Sequence, residues 1–266
     1  MTARASASAR AAARLLPPAI TGFLLLLLWE MAPRLGASPL LIPPVSDVAW
    51  SLYRGIANGI IPVALAVTLT EAMAGFVLGS GAAIVIAALI TRSELLERAI
   101  VPYLVALQSL PKVALAPLLV VWLGFGISSK IAIATIISFF PVLINAIVGF
   151  STVESEKIEL MRSLVASRWQ TFRIVLFPNA LPFIFAGLNV AIVFSVTGAL
   201  VGEFVGATEG LGTLLMQMNY NMDISGMYGV LVVLAVMGAL LHGLVRLLHR
   251  RLIHWADPEK IERTPL

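Results

Sequence analysis

With 266 residues, 59% of them hydrophobic and 12% charged, the chain has about half the charged fraction of a soluble globular domain, so water is not its main solvent. Its net charge of +4 is dealt out between apolar stretches instead of gathered on one face, which excludes a nucleic-acid-binding surface. The absence of cysteine excludes disulfides, thiol nucleophiles and thiolate metal sites.

A hydrocarbon core of about 30 Å takes about 20 apolar helical residues, and hydropathy predicts spans near 15–33, 62–90, 99–123, 129–150, 180–202 and 227–248. Runs such as Phe23 to Leu28 do not alternate in polarity, so helices and not barrel strands cross the membrane. The expectation is an all-α integral membrane protein of about six transmembrane helices. Residues 1–14, all Ala, Ser and Arg after the first two, read as a disordered cytoplasmic tail, and 251–266 as a cytoplasmic C-terminal tail flanking a transmembrane domain over 15–250. Arginines before a leucine run suggest a signal peptide, but the run ends in Trp29-Glu30-Met31-Ala32-Pro33 without a small-x-small site, so the first helix is expected to stay.

Lys and Arg mark the cytoplasmic side of short loops. With both termini inside, Arg4, Arg10, Arg14, Arg92, Arg98, Lys157, Arg162, Arg168, Arg173, Arg246, Arg250, Arg251, Lys260 and Arg263 are cytoplasmic. Arg34, Arg54 and Lys130 then lie outside and Lys112 within a span.

After the first span, Val45 to Tyr53 reads as a short helix on the membrane surface. Gly75 and Gly79 in the second span let helix backbones approach closely, within the monomer or across a dimer. Pro102, Pro111 and Pro117 each remove a backbone hydrogen bond from the third, making it a kinked helix that either lines a path or is held static by neighbours. Residues 203–226 read as an external loop containing Glu203, Glu209, Gly210, Gly212 and Asp223.

The longest polar interval on the inner side, 151–178, is amphipathic. Ile158, Met161, Leu164 and Val165 recur at helical spacing, followed by Trp169 and Phe172. Glu154, Glu156 and Glu159 precede the arginines at 162, 168 and 173, which suits a helix dipole. The pattern predicts a helix, a turn near Ala166-Ser167 and a second helix. Periodicity leaves two roles open: a helix in the headgroup layer, or one that docks in a groove of a cytoplasmic partner.

This interval resembles the cytoplasmic loop of binding-protein-dependent ABC importer permeases, which reads E-A-A, three residues, G, nine residues, I-x-L-P. Aligned on Pro178, Glu159 takes the glutamate position, Val165 the glycine, Val175 the isoleucine and Phe177 the leucine, while Leu160 and Met161 replace the alanines. Other segments are similar to the sulfonate, nitrate and taurine branch: Ser167 to Arg173 with Pro178 to Pro182, Leu110-Pro111 with Ala114 to Leu118, Trp122-Leu123-Gly124, and Glu203 followed by Gly210-Leu211-Gly212. Glu71 stands where these relatives commonly carry arginine.

The resemblance implies a permease subunit of the bacterial inner membrane. It implies coupling helices between spans four and five, a partner ATP-binding subunit in two copies, an extracytoplasmic solute-binding protein and a second permease copy. Glu159, Leu160, Met161, Arg162, Ser163, Leu164, Val165, Ala166, Ser167 and Pro178 would then couple to the ATPase. Glu71, Gln108, Pro111, Lys112, Pro117, Asn145 and Glu203 are candidates for the pathway and its hinges. The implied cargo is a small anion such as a sulfonate, nitrate or taurine, or else a thiamine-precursor-like heterocycle. No cofactor is expected. None of the four lysines follows a glycine, so no P-loop is present for ATP.

Two other classes compete. An intramembrane enzyme would use Ser138 or Ser195 with His242, His249 or His254, but these histidines cluster at or beyond the inner end of the last span, among arginines. They do not repeat on one helical face as metal ligands would. A self-contained secondary transporter would rely on ionisable groups inside the bilayer, for which Glu71 and Lys112 are the candidates.

Overall fold

The computed structural model describes residues 16–17, 20–36, 38 and 41–253. Both expected tails lie outside these, apart from residues 251–253. Among the described residues every regular element is a helix, and they fall into two compact units, one of Met1–Pro62 with Leu214–Val233 and one of Val63–Thr213 with Leu234–Leu266.

In the first unit, the apolar helix α1 (Ile20–Met31) is shorter than the predicted span because Pro33 opens a separate 3-10 turn after it. Glu30 at its end accepts hydrogen bonds from Ser46 N (3.0 Å) and Ser46 Oγ (3.1 Å). A carboxylate there satisfies an otherwise unpaired N–H in the first turn of α2 (Val45–Ala57). Trp29 Nε1 donates to Pro43 O at 3.0 Å, and its ring meets Tyr228 at 5.6 Å. The expected surface helix is α2: Val48 and Ser51 face inward, while exposed Trp50 stacks on Tyr53.

The second unit is built on α3 (Ile60–Ile90), α6 (Ile127–Ser151) and a 39-residue helix α8 (Arg168–Gly206), all long and apolar enough to cross a membrane, as is α10 (Ile224–Leu252), which spans both units. Small residues set how closely they pack. A β-carbon at Gly75 would sit 2.4 Å from that of Ala134, and one at Gly198 would sit 2.6 Å from Ala134 Cα. One at Gly79 would meet Thr135 O at 2.6 Å, and one at Gly187 Pro141 O at 2.8 Å. The Gly75/Gly79 pair thus seats α3 on α6 within the monomer. Around these contacts Ala83, Val142, Leu143, Ala146, Ile147, Ala180 and Ile184 form the main core.

The third predicted span is a broken pair, α4 (Glu94–Gln108) and a segment Lys112–Leu123 containing α5 (Ala116–Leu123), bent by 83°. Of its three prolines only Pro111 breaks the helix. It cannot donate a backbone N–H, and it disfavours helical backbone at Leu110. Pro102 sits inside α4, and Pro117 lies in the first turn of α5, where its missing N–H has no helical partner to lose. Within α8, residues Phe172–Leu176 form a π turn just before Pro178, which leaves the Ile174 carbonyl without its usual donor.

The sequence expectation of a loop over 203–226 is overturned. Glu203 is inside α8 and buried, and Leu211–Tyr220 is a helix, α9, leaving connections of a few residues on either side. Gly210, left-handed at φ +119°, turns the chain into α9.

Gly198→Ala tests the close approach. It is expected to destabilise by roughly 1–3 kcal/mol as an overpacking change, seen as a lower thermal midpoint in detergent. Gly81→Ala, where a β-carbon meets nothing within 4 Å, should leave the midpoint unchanged.

Candidate functional site

Between the C-terminal end of α6 and the N-terminal end of α8 stands α7 (Ser155–Ser163). Ile158 and Met161 turn inward, with Met161 buried. The other two residues of the predicted apolar stripe do not. Leu164 is 67% exposed and Val165 90%, joined by Leu160 at 60%, so the apolar surface of this segment points away from the protein.

The turn that ends α7 is defined by its hydrogen bonds. Ala166 N donates to Met161 O (3.0 Å) and Val165 N to Arg162 O (2.9 Å), the paired bonds of a Schellman motif. Its left-handed position is Val165, at φ 54°. A β-branched residue is a poor choice there, since its Cβ crowds the following carbonyl. The sequence departs from glycine at this position, yet the turn has the geometry that glycine would serve.

Ser167 then starts α8 with a capping box: its Oγ accepts from Gln170 N (3.2 Å), and Gln170 Oε1 accepts from Ser167 N (2.7 Å). The predicted turn near Ala166-Ser167 is therefore present, and the second helix continues without interruption through Pro178 to Gly206. An aromatic ladder ties it to α6: Trp169 stacks on Phe172 at 5.6 Å, and Phe172 on Phe150 at 5.8 Å. Asn179 Nδ2 donates to Gly149 O (3.1 Å) and Ser151 Oγ to Glu97 Oε1 (2.7 Å). Glu159, Arg162 and Ser163 are exposed on α7.

At the opposite end lies a buried polar cluster. Thr68 and Glu71, one helical turn apart on α3, meet Glu203 of α8, and Lys130 of α6 lies close by; all four are at least 98% buried. Thr68 Oγ1 donates to Glu203 Oε1 (2.6 Å) and accepts from Leu211 N (2.8 Å). Gly212 N donates to Glu203 Oε2. The Glu203 carboxylate therefore serves the unpaired N–H groups at the start of α9. Lys130 Nζ donates to the carbonyls of Phe125, Gly126 (3.1 Å) and Gly206 (2.7 Å), which closes the C-terminal end of α8.

The other predicted pathway residues are not gathered with this cluster. Gln108 and Pro111 are exposed at the bend. Lys112 Nζ donates to Gln108 O (2.9 Å) and sits 4.8 Å from the Phe140 ring centre. Pro117 opens α5, and half-buried Asn145 donates to Pro141 O (2.8 Å). Lys130, counted on the outer side by charge, is a buried residue of α6. Its one sequence signal was position 130 falling within the predicted span 129–150. For an enzyme, Ser138 Oγ donates to Ala134 O (2.7 Å) and Ser195 Oγ to Ile192 O (2.8 Å), and His249 stacks on Phe185 at 5.2 Å. His254 lies outside the described residues.

Residues 75–254 match the family model of the binding-protein-dependent transport system inner membrane component. The chain belongs to this family.

Its relatives include the riboflavin transport system permease protein RibX of Chloroflexus aurantiacus (34% identical, covering 89% of this chain and 88% of the relative). They also include the formylaminopyrimidine transport permease protein ThiX of Halalkalibacterium halodurans (32%, 90% and 96%). The putative aliphatic sulfonates transport permease protein SsuC of Bacillus subtilis is 30% identical (91% and 87%). Among solved structures, the MetNI methionine ABC transporter in an inward-facing conformation matches with a TM-score of 0.58 and 25% identity, over 76% of this chain and 96% of that one. This protein is thus an ABC importer permease, a multi-pass membrane subunit with relatives in the sulfonate and taurine branch.

In this permease the strained turn gives a direct test. Val165→Gly removes a left-handed penalty of about 1–2 kcal/mol and adds back roughly 0.5–1 kcal/mol of chain entropy. A small rise in the thermal midpoint is expected, and a fall would show that the valine turn is unstrained.

Proposed function

We propose that two copies of this chain enclose the pathway of a bacterial inner-membrane importer, driven by two ATPase subunits that dock on residues 154–178 and loaded by an extracytoplasmic solute-binding protein. The observation that carries this reading is the tip of α7. Three aliphatic side chains, Leu160, Leu164 and Val165, are held out on a rigid Schellman turn between Arg162 and the capped start of α8. A headgroup-layer helix turns its apolar face toward its own protein or the acyl chains. Here the apolar tip shares its surface with exposed Glu159, Arg162 and Arg168, the mixed character of a protein interface with hydrophobic anchors and a charged rim.

In this mechanism closure of the ATPases moves α7 and, through the aromatic ladder, the inner ends of α6 and α8. The pathway then alternates between inward- and outward-facing states. Six crossings with both termini cytoplasmic follow if the bent pair α4 and Lys112–Leu123 is one span and α1 with its flanks another. As cargo we propose a small organic solute. Branch similarity supports an anion such as a sulfonate, nitrate or taurine. The higher identity to relatives named for riboflavin and formylaminopyrimidine supports a heterocycle of that size.

Glu159→Lys and Arg162→Glu are each expected to weaken ATPase association by about tenfold, ~1.4 kcal/mol, with a normal amount of permease in the membrane. Co-purification and ATP hydrolysis read this directly; if both variants keep both, the tip does not dock the ATPase.

The topology has its own measurement. In this cysteine-free chain, Ser155→Cys and Thr208→Cys should react with an impermeant thiol reagent from opposite sides of the membrane. Labelling of Ser155→Cys in intact cells would invert the arrangement.

A further inference from the structure

The buried cluster at the outer ends of α3, α6 and α8 has an unbalanced hydrogen-bond account. An ammonium has three donors, and Lys130 spends all three on the carbonyls of Phe125, Gly126 and Gly206. It therefore neutralises one carboxylate through space and donates a hydrogen bond to neither. Glu203 is fully supplied as an anion. The single Thr68 O–H faces one oxygen at 2.6 Å, closer than its alternative acceptor Ala64 O at 3.1 Å; Gly212 N donates to the other oxygen, and the Thr213 N–H lies within reach. The fit is close, since a β-carbon at Gly210 would stand 2.3 Å from Glu203 Cδ.

Glu71 receives nothing comparable. It is 2% exposed, and among the described residues its Oε2 has no partner and the side chain within hydrogen-bonding reach of its carboxyl is Glu203. An ionised carboxyl is an acceptor only. With both glutamates ionised, two anions would face each other with no donor between them and a single cation nearby, an arrangement that is strongly unfavourable out of water. A neutral Glu71 supplies the missing donor. The charges then sum to zero: Glu203 negative, Lys130 positive, Glu71 uncharged.

We infer that Glu71 and Glu203 form a buried proton-binding site, in which the Glu71 O–H donates to the Glu203 carboxylate and the held proton keeps segment 207–212 closed over the ends of α3 and α8. The groups facing the proton among the described residues are Glu71 from α3, Glu203 from α8 and Lys130 from α6; α9 presents backbone N–H groups to them, while its Tyr220 and the Glu209 of the connecting segment are exposed. Loss of the proton leaves two like charges in one pocket. The part of the pocket wall that can yield is the short connection between α8 and α9, because the three long helices are locked by backbone contact at Gly75, Gly79 and Gly198.

The test uses the full chain in lipid vesicles. Infrared spectra at neutral pH should show a protonated-carboxyl C=O band that shifts slowly in D2O. Every other carboxylate among the described residues is exposed or partly exposed. Glu71→Gln, which keeps the shape and can donate through its amide, should abolish the band. Raising the pH should abolish it in the parent chain, a reading that needs no variant. Thr208→Cys in both backgrounds then reports the segment: the ratio of maleimide labelling rates, parent over Glu71→Gln, should rise as the band disappears. Absence of the band at neutral pH, or its survival in Glu71→Gln, overturns the proton site. A ratio that stays flat while the band is lost overturns the closure of 207–212.

Discussion

Contact between helix backbones, permitted by glycine and alanine, is the constraint on which this structure depends. In lipid there is little hydrophobic force to drive one apolar helix onto another, so association rests on van der Waals packing and a few hydrogen bonds. Both grow as backbones approach. Ala134 takes this furthest: it lies under Gly75 of α3 on one side and Gly198 of α8 on the other, so both helices close on the same turn of α6. Larger residues at these positions would separate the helices and open the polar cluster just beyond them.

The cluster follows from that proximity. Helices that end close together inside an apolar medium leave N–H and C=O groups without water, and each unmet group costs free energy. Glu203 and Lys130 meet this need from within the bundle. One carboxylate serves the start of α9, and one ammonium serves the end of α8 and the approach to α6. Both charged groups thus act as buried helix caps, and Glu30 does a similar service for α2 at the surface.

The helical class, the apolar stretches and the amphipathic segment between the fourth and fifth spans were legible in the sequence because period and length carry them. Other features were not. The break at Pro111 looked like the kinks at Pro102 and Pro117, since a proline's effect depends on whether it falls inside a helix or in its first turn. Glu203 looked external because charge counting treats a charged residue near a span end as solvated, and only the fold shows that three helices and a glycine turn enclose it. Val165 was legible as a departure from glycine, but whether the turn kept its left-handed geometry could be read only from φ. The outward facing of Leu164 and Val165 was hidden for a related reason: helical periodicity groups apolar residues on one face without saying whether that face meets the protein itself or a partner.

One helix connects the two ends of this description. From Arg168 beside the exposed tip to Glu203 in the buried cluster, α8 runs 35 residues, about 52 Å at 1.5 Å per residue. Its irregularities are all near the N-terminal end, in the π turn Phe172–Leu176 and at Pro178 and Pro182, while the stretch toward Glu203 is regular and lies against α6. A displacement imposed on α7 therefore meets compliance first, where α8 has weakened or missing rungs, and rigidity afterwards. Under the import cycle proposed above, the inner third of α8 is the element that bends, and the outer two thirds move with α3 and α6 as one body. The proton inferred on Glu71, donated to the Glu203 carboxylate, would then fix the one segment at the far end that is not part of that body.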